Sequence, residues 1–132
     1  MIRALGATVL AAHGLIHLIG FVVPWRLAVV DGFASRTTAL GGVLALGDGG
    51  ARMVGLAWLV LAIGFVVAAV ATLRGVSWAA ALTALLALAS IVVSVLGLPE
   101  TGAGIVVNLG ILAALAWVAF GRGRTAAAVA RA

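Results

Sequence analysis

Two histidines four residues apart are the most informative chemistry-bearing residues of this chain. His13 and His17 lie within AAHGLIHLIG, so a helix places both on one face, in line with Gly20. An imidazole titrates near physiological pH and is a common metal ligand, so the pair could handle a proton, hold a small ligand or chelate a metal. Ionisable side chains within apolar helices usually face the protein interior. We therefore expect both rings to be buried beside partners.

Four apolar stretches could position the histidines, because about 20 apolar residues cross a bilayer core of about 30 Å. The predicted spans are Ala4–Val23, Met53–Leu73, Val76–Leu98 and Gly102–Phe120. In lipid each backbone amide must be bonded within its own segment, which favours helices over an open sheet. Tight connections at residues 74–75 and 99–101 place the last three helices antiparallel in sequence. The sequence predicts an all-α fold, a polytopic membrane four-helix bundle with up-down topology.

The composition supports lipid as the main solvent. Of the 132 residues, 66% are hydrophobic and only 8% are charged, whereas a soluble domain has roughly 25% charged residues. The length suits one transmembrane domain, residues 1–132. Without cysteine there can be no disulfide, thiolate metal site or dithiol redox chemistry. The formal charge of +5 comes from arginines that flank apolar runs, so it indicates topology and lipid headgroups and not nucleic acid.

The arginines also predict an orientation. If the amino terminus is cytoplasmic, five arginines and no acidic residue lie inside, while three arginines and all three acidic residues lie outside. Basic residues favour the cytoplasmic side of a membrane. We predict a multi-pass protein of the bacterial inner membrane with both termini cytoplasmic, an external loop over residues 24–52 and a cytoplasmic tail over residues 121–132.

The long external loop contains an apolar string, TTALGGVLAL, that is too short to cross the membrane. Thr37 or Thr38 could cap the start of a helix, and the GDGG run at Gly47–Gly50 could end it. This pattern predicts a short helix lying at the outer interface. A disordered loop is the alternative.

Depth along each helix, counted at about 1.5 Å per residue, places further polar and aromatic side chains near the histidines in the outer half of the bundle. Small residues such as Gly55, Gly97, Gly104 and Gly110 would allow close helix contacts there. The cluster could fix helix register, or form a polar cavity open to the outside that binds a small molecule, a quinone headgroup or a proton. The candidate binding residues are His13, His17, Trp58, Ser90, Ser94, Glu100 and Asn108.

A metal or haem site is a third interpretation of the histidine pair. His13 and His17 can chelate a metal, but a zinc site normally needs three or four protein ligands. The HExxH motif is absent, and two histidines on one helix face cannot supply opposed axial haem ligands. We therefore predict no cofactor and keep the two histidines as weak metal candidates. The acidic residues lie in loops, so no catalytic set can be assigned.

The strings AHGLIHLIGF and RMVGLAWLVLAIGF, followed by Pro99 before the last span, resemble a group of small four-span bacterial membrane proteins. Most members of that group are uncharacterised, and some are labelled transporter permeases. DoxX-like membrane proteins are similar in architecture only. The resemblance implies a four-span fold and, as one alternative, a small transporter component.

Together these patterns favour a non-catalytic binding or accessory subunit with an outward-facing polar pocket around His13, His17 and Asn108. A haem- or metal-binding redox subunit that uses the paired histidines is the rival hypothesis. The expected partner is the lipid bilayer, with a homo-oligomer or a larger membrane complex left open.

Overall fold

Four long helices account for most of the chain. The computed structural model describes the backbone of residues 1–129 and the side chains of residues 1–121. The helices are α1 (Ile2–Val22), α2 (Gly47–Arg74), α3 (Ala79–Leu96) and α4 (Gly102–Val129). Each contains a stretch that is long and apolar enough to cross a membrane. The predicted all-α, multi-pass four-helix bundle is confirmed.

The helices pack in chain order, α1 mainly on α2, α2 on α3, and α3 on α4. Between α2 and α3 the chain reverses at Gly75, whose positive φ of 69° allows its N–H to cap the carbonyls of Ala71 and Thr72. Gly75 also lies against Arg3, so α1 starts where α2 ends. We call this end of the bundle, with Arg3 and residues 74–78, the terminal end. The opposite end, with residues 23–46 and 97–101, is the loop end.

The core is narrow and the outer surface is apolar, as lipid requires. Phe65, Ala68 and Ala87 are fully buried between the helices. Large apolar side chains cover the outside, and Val60 and Leu85 are each more than 60% exposed. Such a surface would be costly in water, but it costs nothing against acyl chains.

The loop between α1 and α2 differs from the prediction. Thr38–Ala39 and Leu44–Ala45 pair as a two-stranded antiparallel hairpin, with a single 3-10 turn at Leu40–Gly42. This hairpin takes the place of the short helix predicted over residues 37–46. The φ angles of Leu40, Gly41 and Gly42 are all positive, between 54° and 100°, and a right-handed helix cannot contain them.

The GDGG run also acts differently from the prediction. It begins α2 at Gly47 and ends no helix. Asp48 lies in the first turn of α2, where the positive end of the helix dipole favours a carboxylate. At the other end of the chain, α4 remains helical to Val129, through most of the segment predicted to be a tail.

Gly14 allows α1 to approach α2 closely. A Cβ atom at this position would lie 2.9 Å from Phe65 Cβ and 3.0 Å from the carbonyl oxygen of Ala62. One of these neighbours is backbone, so the two helices could accommodate a side chain only by moving apart.

Gly14→Ala should therefore destabilise the bundle by about 1–3 kcal/mol, as overpacking does elsewhere. Gly110→Ala on α4 is the matched control, because a Cβ atom there meets nothing within 4 Å, so Gly110 does not make the close helix contact predicted for it. Thermal unfolding in detergent, followed by circular dichroism, measures the difference. Equal stability of the two variants would show that α1 and α2 are not in tight contact at Gly14.

Candidate functional site

The site is built from hydrogen bonds whose directions can be assigned, beginning with His17. Its Nδ1 lies 2.7 Å from the carbonyl oxygen of His13, one helical turn earlier. A carbonyl oxygen only accepts hydrogen bonds, so His17 carries its proton on Nδ1. In the neutral ring Nε2 is then an acceptor.

Asn108 on α4 is oriented in the same way by a backbone carbonyl. Its Nδ2 group lies 2.8 Å from the carbonyl oxygen of Gly104 and 2.8 Å from Ser90 Oγ, and donates to both. The Oδ1 atom must therefore face His13 Nε2, at 3.1 Å. It follows that His13 carries a proton on Nε2 and donates it to Asn108.

Ser90 on α3 closes the ring. Its Oγ accepts from Asn108 and lies 2.8 Å from His17 Nε2, so its own proton goes to His17. The bonds run in one direction, from His13 to Asn108, Ser90, His17 and back to the His13 carbonyl. We call these four residues the polar ring. It joins α1, α3 and α4, and none of the four is more than 5% exposed.

Helix α2 supplies an aromatic wall to the polar ring. The Phe65 ring centre lies 4.9 Å from that of His13 and 5.2 Å from that of His17. The Trp58 ring lies 5.0 Å from His17 and rests on the backbone of Gly20, where any Cβ atom would overlap the indole. The two aromatic residues thus exclude water from the imidazoles on this side.

Above Trp58, at the loop end, lies a cavity of about 120 Å³. We call it the loop-end cavity; Trp58 is in its wall, and the hairpin covers it. The Gly41 N–H donates to the Leu98 carbonyl at 3.0 Å, and Arg36 pairs with Glu100 at 2.5 Å, so the hairpin is fastened to the α3–α4 connection.

The size of the loop-end cavity limits what it can hold. A dry cavity of about 150 Å³ can bind benzene, whereas drug-sized ligands occupy about 300–1,000 Å³. A molecule of one ring or less therefore fits, and a quinone headgroup with substituents does not fit unless the hairpin moves.

The structure places six of the seven candidate residues at the polar ring or the loop-end cavity. His13, His17, Ser90 and Asn108 form the polar ring, and none of them lines the loop-end cavity. Trp58 lies between the ring and the cavity, and Glu100 lies in the cavity wall.

Ser94 belongs to neither group. It lies one turn beyond Ser90 on α3 and is fully buried. Within the part of the chain whose side chains are described, its hydroxyl has no hydrogen-bond partner.

Sequence reasoning missed Phe65, Gly14 and Arg36. Phe65 stands seven positions after Trp58, so helical periodicity alone could have placed both rings on one face of α2. Gly14, between the two histidines, carries no signal that distinguishes it from the other glycines. Arg36 joins Glu100 only through the hairpin, which the sequence did not predict.

The donor set does not fit a metal or haem centre. His13 Nε2 and both ring nitrogens of His17 already take part in hydrogen bonds. In the range 1–121, no group of three or more His, Cys, Asp or Glu side chains comes together in a way that could hold a metal ion.

Comparison with known proteins assigns no family to the chain. No protein-family description, curated protein or solved structure matches it. The resemblance to small four-span membrane proteins therefore stays a prediction, and the ring and the cavity carry the functional conclusion.

Ser90→Ala and Ser94→Ala provide a matched test of the polar ring, because both serines are fully buried on α3. Ser90→Ala should lower the free energy of unfolding by about 1–2 kcal/mol, since it removes ring bonds and leaves buried groups unpaired. Ser94→Ala removes a hydroxyl without a partner and should cost nothing. If both variants lost the same free energy of unfolding in detergent, the hydrogen bonds assigned to Ser90 in the polar ring would be contradicted.

The assigned directions predict opposite tautomers for the two histidines. Nitrogen-15 NMR of the reconstituted protein should show the proton on Nε2 of His13 and on Nδ1 of His17. In Asn108→Ala, His13 loses its acceptor while His17 keeps its bond to the His13 carbonyl, so only the His13 signals should shift strongly. The same tautomer at both positions in the unaltered chain would refute the assigned directions.

Proposed function

We propose that this chain is a non-catalytic binding or accessory subunit of the bacterial inner membrane, with both termini cytoplasmic and the loop-end cavity facing outward. The observation that carries the proposal is the cavity itself, which lies between the aromatic side chain of Trp58 and a fastened hairpin. The distribution of arginines supports the orientation.

The cavity wall indicates the chemistry of a ligand. Most of the lining is apolar, and the indole of Trp58 is the largest aromatic surface in it. Arg36 and Glu100 supply the charged groups at its wall. A small amphipathic molecule fits this pattern, with its apolar body against Trp58 and its polar end at the ion pair.

The ion pair can also yield to such a ligand. The side chains of Arg36 and Glu100 are 50% and 25% exposed, and pairs of this kind contribute only about 0–1 kcal/mol. Replacing one partner by a polar group of the ligand therefore costs little, while the hydrogen bond from Gly41 to Leu98 keeps the hairpin in place.

Binding is favoured over transport by the polar ring below the cavity. A water-filled path would have to pass through side chains that are 0–5% exposed. A proton cannot circulate around the ring, because the carbonyl oxygen of His13 cannot donate and the Gly104 carbonyl holds the Asn108 amide in the orientation that donates to Ser90. Both features support a role for the ring as a framework beneath the binding site.

Single cysteines test the cavity and its orientation together, because the chain has no cysteine of its own. Ala51 lines the cavity and is 6% exposed. A small, charged, water-soluble thiol reagent added to intact cells should label Ala51→Cys. Ala62→Cys is the matched control, since Ala62 is buried on the same helix but does not line the cavity, and it should remain unlabelled.

Ser77→Cys, at the terminal end, should react only after the cells are made permeable. Labelling of Ala51→Cys only after permeabilisation would invert the orientation. If Ala51→Cys reacted no faster than Ala62→Cys under either condition, the cavity would be closed to water and the proposal would fail.

A further inference from the structure

A second concave surface opens between α1 and α4 at the terminal end. The two helices are joined by the hydrogen bond from His13 to Asn108, while α1 otherwise packs mainly on α2 and α4 on α3. Towards the terminal end the space between α1 and α4 forms a groove of about 620 Å³. We call it the terminal groove; residues of α1, α3 and α4 form most of its lining, and Thr72 of α2 and residues 75–77 contribute to its wall.

The lining of the terminal groove is suited to hydrocarbon. Its side chains on α1 and α4 are almost all aliphatic, among them Leu5, Val9, Leu115 and Val118. The lining runs from Ile2 to Leu10 on α1, which is about 12 Å at the rise of a helix. One leaflet of the bilayer core is about 15 Å deep. The groove therefore has the length and polarity for an acyl chain of one leaflet.

The charges at this end favour an anionic headgroup. Arg3 lines the groove, and within the part of the chain with described side chains its guanidinium makes no ion pair or hydrogen bond. Ala79 and Ala80, at the N-terminus of α3, also line the groove, so the positive end of that helix adds to the potential. All three acidic residues of the chain belong to the loop-end half, at positions 31, 48 and 100.

We propose that the terminal groove is a binding site for one anionic phospholipid, with an acyl chain between α1 and α4 and the phosphate between Arg3 and the N-terminus of α3. This site is separate from the loop-end cavity, because the polar ring lies between them. It does not depend on the function proposed for that cavity.

Native mass spectrometry of the purified chain, titrated with phosphatidylglycerol or phosphatidylcholine, tests the headgroup. The chain should retain one phosphatidylglycerol more strongly than phosphatidylcholine. Arg3→Gln should weaken retention of phosphatidylglycerol about five-fold, as expected for one arginine near an anionic lipid, and leave phosphatidylcholine unchanged. Arg74→Gln removes the same charge at the same end without lining the groove, and should have no effect.

A second pair of variants tests the acyl chain. Ala114→Phe fills the terminal groove and should reduce retention of both lipids, whereas Ala113→Phe, on the adjacent position that does not line it, should change neither. Equal retention of the two lipids by the unaltered chain, or equal losses in Arg3→Gln and Arg74→Gln, would overturn the proposal. So would a dimer that only Ala114→Phe dissociates, because a second copy of the chain would then fill the groove.

Discussion

A one-directional ring of hydrogen bonds among His13, Asn108, Ser90 and His17 fixes how the helices of this bundle are arranged. Aliphatic helices in lipid gain little from contact with one another, since lipid tails are as apolar as their side chains. Such helices can slide or rotate at small cost. A ring in which each donor has one acceptor allows only one depth and one rotation for α1, α3 and α4. Any other arrangement leaves a polar group unpaired in hydrocarbon.

Helix α2 takes no part in the ring, yet it determines the surroundings of the ring. Gly14 and Gly20 let α2 come close enough for Phe65 and Trp58 to cover the imidazoles. Hydrogen bonds in such a dry environment are stronger, and their loss is more costly, than at a wet surface. The glycines of α1 and the aromatic residues of α2 therefore act together to keep the imidazoles dry.

The polar ring also separates two ends of different character. The loop end carries the acidic residues, the hairpin and an ion pair over a small cavity. The terminal end carries a wide apolar groove and Arg3, which has no ion pair among the residues whose side chains are described. Among the residues whose side chains are described, the ring and the two aromatic residues fill the centre, and the cavity and the groove share no lining residue. This separation agrees with the proposal that each end of the bundle binds a molecule of its own.

Hydropathy predicted the four spans, and counting along the helices predicted that His17, Ser90 and Asn108 lie at one level of the bundle. Hydropathy is a local property, and the rise per residue of a helix is constant, so both can be counted along the chain. Which side chains come into contact became clear from the folded bundle. Ser90 and Ser94 lie one turn apart on α3, and aliphatic residues flank both in the sequence, yet only Ser90 belongs to the ring. The hairpin likewise depends on a bond from Gly41 to Leu98, which is distant in sequence. The position of a residue along its helix can be counted from the sequence. The rotation of each helix about its axis and the choice of its neighbours are set by packing between segments, which no local sequence pattern encodes.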